Sequence, residues 1–238
     1  MKILYGARMM RFDLLKAVSD LATRVTKWSL ACDRRLHRLM CYINSTLADR
    51  MVGYVGDSPE NLTARLYADA DFAGGHGRDS SEDPDSVKSR CGFVIRFGGV
   101  PLTWKSQLIS EICLSTTHSE YVALVQSLRT LIPIRTTVID ALKFFKLPAN
   151  EKPRIYCKVF EDNQSVYMLV NNQKPTATTK YFDVKWHWFW GYVYHPTRNP
   201  KGWLIVGKIG TDMQDADYLT KGLVRVKHES NRKRIQGW

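Results

Sequence analysis

The sequence predicts an α/β fold, a mixed sheet covered by helices. Three observations lead there. Short strand-like runs recur at 65–71, 91–97, 101–105, 152–161 and 203–209, and the fourth alternates Ile155, Cys157 and Val159. The first three follow one another closely, as hairpin-linked strands do. The later two are separated by helical stretches, as parallel strands require.

Residues 7–47 open the chain with helical periodicity. Leu14, Leu15, Val18, Leu21, Ala22 and Val25 recur at three- and four-residue steps, and Leu36, Leu39, Met40, Ile43 and Leu47 repeat the pattern. Arg34, Arg35 and Arg38 lie on the other face of the second helix. Two such helices cannot form a core alone and must pack on something. Gly53, Gly56, Asp57, Ser58 and Pro59 mark a linker. Strand 65–71 is followed by a polar loop, with Asp79, Glu82, Asp83 and Asp85 between Gly74 and Ser89. Gly98-Gly99 is a hairpin turn between strands 91–97 and 101–105. Residues 115–145 are helical, with an interruption expected before Pro133. Helices are expected at 162–170, begun by a capping polar residue, at 182–194, and at 214–221, where Gly222 stops the last. Phe182, Trp186, Trp190 and Val193 form its core face, with Trp188 and Tyr192 on another side. The organisation is thus a helical segment and linker (1–60), an α/β domain (61–223) and a mobile basic tail (224–238).

Composition narrows the function classes. The 35 Lys+Arg against 23 Asp+Glu give a net charge of +12 over 238 residues, which favours a polyanion partner, nucleic acid ahead of a membrane surface. No apolar run suggests a membrane span, and Met1–Leu15 lacks the apolar core of a secretory signal. The five cysteines are widely spaced with no Cys-x-x-Cys pair, which supports neither a zinc ribbon nor a disulfide framework. A reducing, cytoplasmic setting is expected, with a virus-like particle or the nucleus as other places, and no secretion.

Acidic residues at the ends of these elements carry the chemistry. Asp69 and Asp71 are two apart on the first strand and point to the same side. Asp162 ends the fourth strand, Glu120 lies in the first turns of the long helix, and Asp217 lies in the helix at 214–221. If the first and fourth strands are neighbours, Asp69 and Asp162 meet. Four carboxylates in one groove repel one another unless one is protonated or a divalent cation neutralises them. Oxygen-only ligands favour Mg²⁺ or Mn²⁺ over Zn²⁺. Taken singly, each acid reads better as a solvated surface group.

Together the motifs resemble a family. Tyr-Ala-Asp-Ala-Asp-Phe-Ala-Gly (67–74), Trp-Lys-Ser (104–106), Leu-Ser-Thr-Thr-His-Ser-Glu-Tyr-Val-Ala-Leu (114–124), Glu-Asp-Asn-Gln-Ser (161–165) and Gln-Asp-Ala-Asp-Tyr-Leu-Thr-Lys (214–221) resemble, in order and spacing, the ribonuclease H domain of copia-type retrotransposon Pol polyproteins. The resemblance covers residues 61–223. Residues 1–50 resemble, more weakly, the segment joining reverse transcriptase to that domain. The resemblance implies the ribonuclease H-like fold, a five-stranded mixed sheet flanked by helices, here preceded by an N-terminal helical segment. It implies endonucleolytic cleavage of the RNA strand of RNA–DNA hybrids during reverse transcription, with two Mg²⁺ ions and a polymerase segment of the same polyprotein as partner. By motif match Asp69, Glu120, Asp162 and Asp217 are the catalytic metal ligands. Asp71, His118 and Asn163 stand beside them.

Some positions depart from the pattern. His118 stands where the family often has Glu. Thr178-Thr179-Lys180-Tyr181-Phe182-Asp183 replaces an Arg-Thr-Lys-His-Ile-Asp stretch. No His lies between Pro196 and Lys227, so no proton-shuttling His is expected before the last helix of the domain. Lys105, Ser106, Lys180, Arg34, Arg35 and Arg38 are the candidate nucleic-acid contacts. Two other functions compete. One is a catalytically silent module that binds RNA–DNA hybrid or RNA. The other is an integrase-type strand-transfer enzyme, disfavoured because Glu120 precedes Asp162.

Overall fold

A strand buried on both faces belongs in the middle of a sheet, and Ala64–Asp71 is such a strand. In the computed structural model, which describes residues 2–56, 62–75, 84–146, 155–177 and 179–237, this segment is β1. Ala64, Leu66 and Ala68 are buried on one face, Tyr67 and Asp69 on the other. β2 (Arg90–Phe97) pairs antiparallel with β1, and β3 (Val100–Leu108) antiparallel with β2. Gly98 and Gly99 join β2 to β3 at φ of 56° and 86°, as a two-residue hairpin turn requires. β4 (Cys157–Glu161) lies parallel to β1 on its other side, and β5 (Leu204–Lys208) parallel to β4. The order β3-β2-β1-β4-β5 makes a five-stranded mixed sheet, as the resemblance implies.

Helices cover both faces. α1 (Lys2–Met9), α2 (Leu15–Ala22) and α3 (Leu30–Ser45) begin the chain. α4 (Thr116–Phe144) and α5 (Gln164–Asn172) follow, then a 3-10 helix (Val184–Tyr192), α6 (Asp217–Thr220) and α7 (Arg225–Gln236). α4, α5 and the 3-10 helix close one face over Leu66, Ala68, Cys157 and Val159. α4 has the length and apolar composition of a membrane span, but its first half, from Tyr121 to Leu131, lines this core. The opposite face, with Tyr67, Val94 and Trp104, is closed by the N-terminal helices together with α6 and α7. That is what the two one-striped helices pack on.

The structure corrects several expectations. α4 runs unbroken through Pro133. The proline lies just past the buried stretch, and the carbonyl it leaves without a helical donor belongs to solvent-exposed Arg129. The helix expected at 182–194 is a 3-10 helix, and its most buried residue is Phe189. α6 has four residues and is not the last helix. In α3 only Leu39 is fully buried of its apolar set, while Met40 and Leu47 are exposed; beyond α2, Val25 is exposed. The cap of α5 is Asn163, whose Oδ1 accepts from Ser165 N and Val166 N. The linker residues 57–61, the acidic loop 77–83 and the start of the strand expected at 152–161 fall outside the described residues.

The expected mobile tail is α7, which packs on the body. Its basicity does not mean full solvation, because several of its polar groups find partners. Arg234 Nε donates to Asp215 Oδ1 at 2.8 Å, Arg232 pairs with Asp49, and Gln236 Nε2 donates to Asp13 Oδ1 at 3.1 Å. Ile235, 1% exposed, plugs the shared core. Ile235→Ala is expected to cost about 2–4 kcal/mol, read as a lowered urea midpoint. An unchanged midpoint would mean that α7 is not part of the cooperative unit.

Candidate active site

β1 and β4 are parallel neighbours with Tyr67 opposite Phe160, so their ends bring Asp69 level with Asp162 just past β4. Glu120 reaches them from the first turns of α4. Ser115 caps that helix by accepting from His118 N at 3.1 Å, and Glu120 Oε2 accepts from Ala70 N at 2.8 Å. The result is a group of three carboxylates, Asp69, Glu120 and Asp162, with ligand oxygens all within 4.8 Å of one another. Asp69 and Glu120 are buried. Gln214 Nε2 donates to Ala68 O at 3.0 Å and lies 3.5 Å from Asp162 Oδ1, tying the approach to α6 to the same strand ends.

Asp217 is not within that group. It is 1% exposed in α6 and connects to it through an ammonium. Lys221 Nζ donates to Asp69 Oδ1 and to Asp217 Oδ1, both at 2.8 Å, and Lys227 of α7 takes the other oxygen, Asp217 Oδ2, at 2.7 Å. Thr220 Oγ1 donates to Asp69 Oδ2. This contact depends on a glycine. Gly92 pairs in register with Asp69, and a Cβ there would meet Leu219 Cβ at 2.7 Å and Thr220 Cγ2 at 2.8 Å. Only a residue without a side chain lets α6 sit so close to the sheet.

Burial dominates the electrostatics. It pushes the Asp69 carboxyl up to about 7, against the pull of Lys221 and with the push of Asp217. Burial, then the charges of Asp69 and Glu161, raises Glu120 well above the usual carboxylate range. Glu161 was not singled out in the sequence. It is fully buried at the end of β4, with Oε1 accepting from Asn163 N at 3.0 Å and Oε2 unpartnered. Burial raises it too, opposed by that backbone hydrogen bond. Burial disfavours the charge of Lys221, but Asp69 and Asp217 outweigh it and push its pKa up. Oxygen-only and clustered, the three carboxylates fit a hard divalent cation.

The other residues singled out in the sequence divide. Asn163 orients the turn carrying Asp162 by capping α5. Asp71 lines a cleft beside the carboxylates. His118 turns away from them: its ring stacks on Phe182 at 4.8 Å, Nδ1 accepts from Leu114 N, and Nε2 lies 3.5 Å from Glu111. Burial lowers its pKa despite Glu111. Ser106 is buried, donating to Leu219 O at 2.6 Å and meeting Arg90 Nη1 at 3.2 Å, so it braces α6 and has no free hydroxyl for a phosphate. Lys105 and Lys180 are exposed. Arg35 and Arg38 line the cleft, whereas Arg34, also exposed, does not. The motif Leu-Thr-Lys held the signal for Lys221, four residues and so one turn beyond Asp217.

Comparison with known proteins decides the relationship. The chain is 31% identical over 192 residues, 80% of its length, to the retrovirus-related Pol polyprotein from transposon TNT 1-94 of Nicotiana tabacum. It is 25% identical over 195 residues, 78% of its length, to that from transposon RE2 of Arabidopsis thaliana. Its homologues are copia-type retrotransposon Pol polyproteins. The chain spans 12% of the length of each of these two relatives. Among solved structures, LC11-RNase H1, isolated from compost, aligns with 66% of this chain and 92% of its own at 18% identity and a TM-score of 0.40. No family model matches the chain.

Two outcomes test this carboxylate centre. The folded chain holds a proton on Asp69 up to about pH 7 that the unfolded chain releases near 4. Stability therefore falls as pH rises through that window, and ionised Asp69 is destabilising above it. Asp69→Asn is expected to melt a few degrees higher than the parent at pH 8 in chelator, with the gap closing toward pH 4. Adding Mn²⁺ should stabilise the parent more than the variant. A gap independent of pH would contradict a raised carboxyl. Gly92→Ala should lower the melting temperature and the Mn²⁺-induced stabilisation together, because it displaces α6.

Proposed function

We propose that the chain cleaves the RNA strand of RNA–DNA hybrids, within retrotransposon reverse transcription, at the site formed by Asp69, Glu120, Asp162 and Asp217. The observation that carries this reading is the convergence of Asp69, Glu120 and Asp162, from β1, α4 and the end of β4, to within 4.8 Å. Motif order and homology to Pol polyproteins support it. These carboxylates would hold two Mg²⁺ ions, or Mn²⁺, which supply Lewis-acid activation of water and stabilisation of the leaving 3′-oxygen.

The chain's own groups have distinct tasks. Asp69 and Glu120, held by Thr220 and by Ala70 N–H, give a rigid floor of carboxyl oxygens. Asp162 is the least buried of the three and so the most open to substrate. Lys221 keeps Asp69 and Asp217 together and neutralises charge that would repel a phosphodiester. Exposed Lys105 and Lys180 can hold phosphates outside the centre. Recognition of this kind reads backbone shape and 2′-hydroxyls more than base sequence.

A second reading, a silent hybrid-binding module, draws on one observation. Both oxygens of Asp217 are engaged by lysines, which leaves that carboxylate less open to a metal.

A labelled hybrid incubated with the chain across a Mg²⁺ series separates the two. The nuclease reading expects cleavage of hybrid but not of RNA–RNA or DNA–DNA duplexes. It also expects Asp69→Asn and Asp162→Asn each to lower the rate by about 10³-fold or more, roughly 4 kcal/mol of barrier, with hybrid binding largely retained. Binding without turnover at any Mg²⁺ concentration would select the module. Undiminished cleavage by both variants would remove the site.

A further inference from the structure

The carboxylates do not stand alone at the edge of the sheet. Lys221, which binds Asp69 and Asp217, links them to a cleft of about 1150 Å³ between α2, α3 and α7. We propose that this cleft is a channel for a single nucleic-acid strand continuing from the hybrid, gripped by its phosphodiester backbone. The inference rests on the proposed hybrid-cleaving function and adds a second binding site to it.

Continuity is the first argument. Lys221 and Asp71 line the cleft. Lys221 Nζ is 2.8 Å from Asp69 Oδ1, and Asp71 follows Asp69 by two residues on the same strand face. Lys221 thus faces both the carboxylates and the cleft, so a strand bound at one lies within reach of the other.

Charge is the second argument. The lining carries nine Lys and Arg side chains against five Asp and Glu. Several of the cations are bound to acids, such as Lys16 and Arg90, which both meet Asp20. Arg35 and Arg38 are different. One helical turn apart on α3, both are exposed, and neither forms an ion pair among the described residues. Two unpaired guanidiniums on the wall of a concave, net-positive surface suit successive phosphates.

Size and ring geometry set the kind of ligand. The volume is about that of the largest small-molecule pockets, roughly 1,000 Å³, room for a few nucleotides and too little for a double helix. The rings in the lining are not open platforms. Tyr42 meets His228 edge-to-face at 5.4 Å, and Tyr218 is buried against the same histidine. Without exposed stacking faces, binding depends on charge and is insensitive to base sequence. Most of the lining comes from the N-terminal helices and α7, with Asp71, Arg90 and Leu108 from the sheet, which gives the helices a task in substrate handling.

The test uses the full chain carrying Asp69→Asn to prevent cutting. Fluorescence anisotropy compares a blunt RNA–DNA hybrid with the same hybrid bearing a six-nucleotide single-stranded RNA or DNA extension. The extension is expected to tighten binding about tenfold, equivalent to about 1.4 kcal/mol. In Arg35→Glu/Arg38→Glu the gain should fall below twofold, and the slope of log Kd against log salt for the extended hybrid should drop by about 1–2. Arg34→Glu, on the same helix but outside the cleft, should keep the gain. Arg35→Gln/Arg38→Gln repeats the test if charge reversal impairs folding. A gain with only one extension type identifies which strand enters. No gain from either extension, or a gain that survives both double variants, overturns the channel. Its failure is distinguishable from failure of the nuclease reading: the unsubstituted chain would still cut the blunt hybrid in the first case and would cut nothing in the second.

Discussion

Negative charge held in a dry place is the constraint on which the rest depends. Asp69, Glu120 and Glu161 are buried at the converging ends of β1, α4 and β4, with Asp162 beside them. Burial alone raises the cost of every one of these charges, and their mutual repulsion adds to it. The protein answers with fixed hydrogen-bond donors and one shared ammonium. Ala70 N–H serves Glu120, Asn163 N–H serves Glu161, and Thr220 and Lys221 serve Asp69. A balance of this kind leaves the centre short of positive charge, which is the condition for taking up a divalent cation.

The same constraint explains the helices on the second face. α6 must approach β1 and β2 closely enough for Thr220 and Lys221 to reach Asp69, and Gly92 permits it. So short a helix cannot hold that position alone. It is wedged between the sheet and the N-terminal and C-terminal helices through Tyr218 and Leu219, in one core with Phe12, Leu39 and Ile235. Around this core the ion pairs are partly or fully buried and hydrogen-bonded at both ends. Asp13 accepts from Arg11, Tyr42 and Gln236, and Asp215 accepts from Arg96 and Arg234. Segments at opposite ends of the chain thereby brace the site and enclose the cleft beside it.

Strand order and helix positions were largely legible because apolar periodicity is local. The boundaries that escaped had non-local causes. The tail 224–238 has few apolar residues, and its helix forms because Asp13, Asp49 and Asp215 await its polar groups. Ser106 has the chemistry of a phosphate contact but is consumed by Leu219 O, and His118 has that of a proton carrier but packs on Phe182. A residue's chemistry shows in the sequence, whereas the atoms it spends that chemistry on do not.

By itself the sequence determined the α/β layout and the likeness to Pol polyproteins, and it named Asp69, Glu120 and Asp162, which the fold brings together, since helical spacing and motif order are written along the chain. Tertiary structure alone decided that Asp69, Glu120 and Asp162 converge while Asp217 is held apart by Lys221 and Lys227, and that Glu161 stands dry behind them. The physical reason is that a carboxylate's role depends on the few ångströms of dielectric and counter-charge around it, and those are supplied by segments distant in the chain.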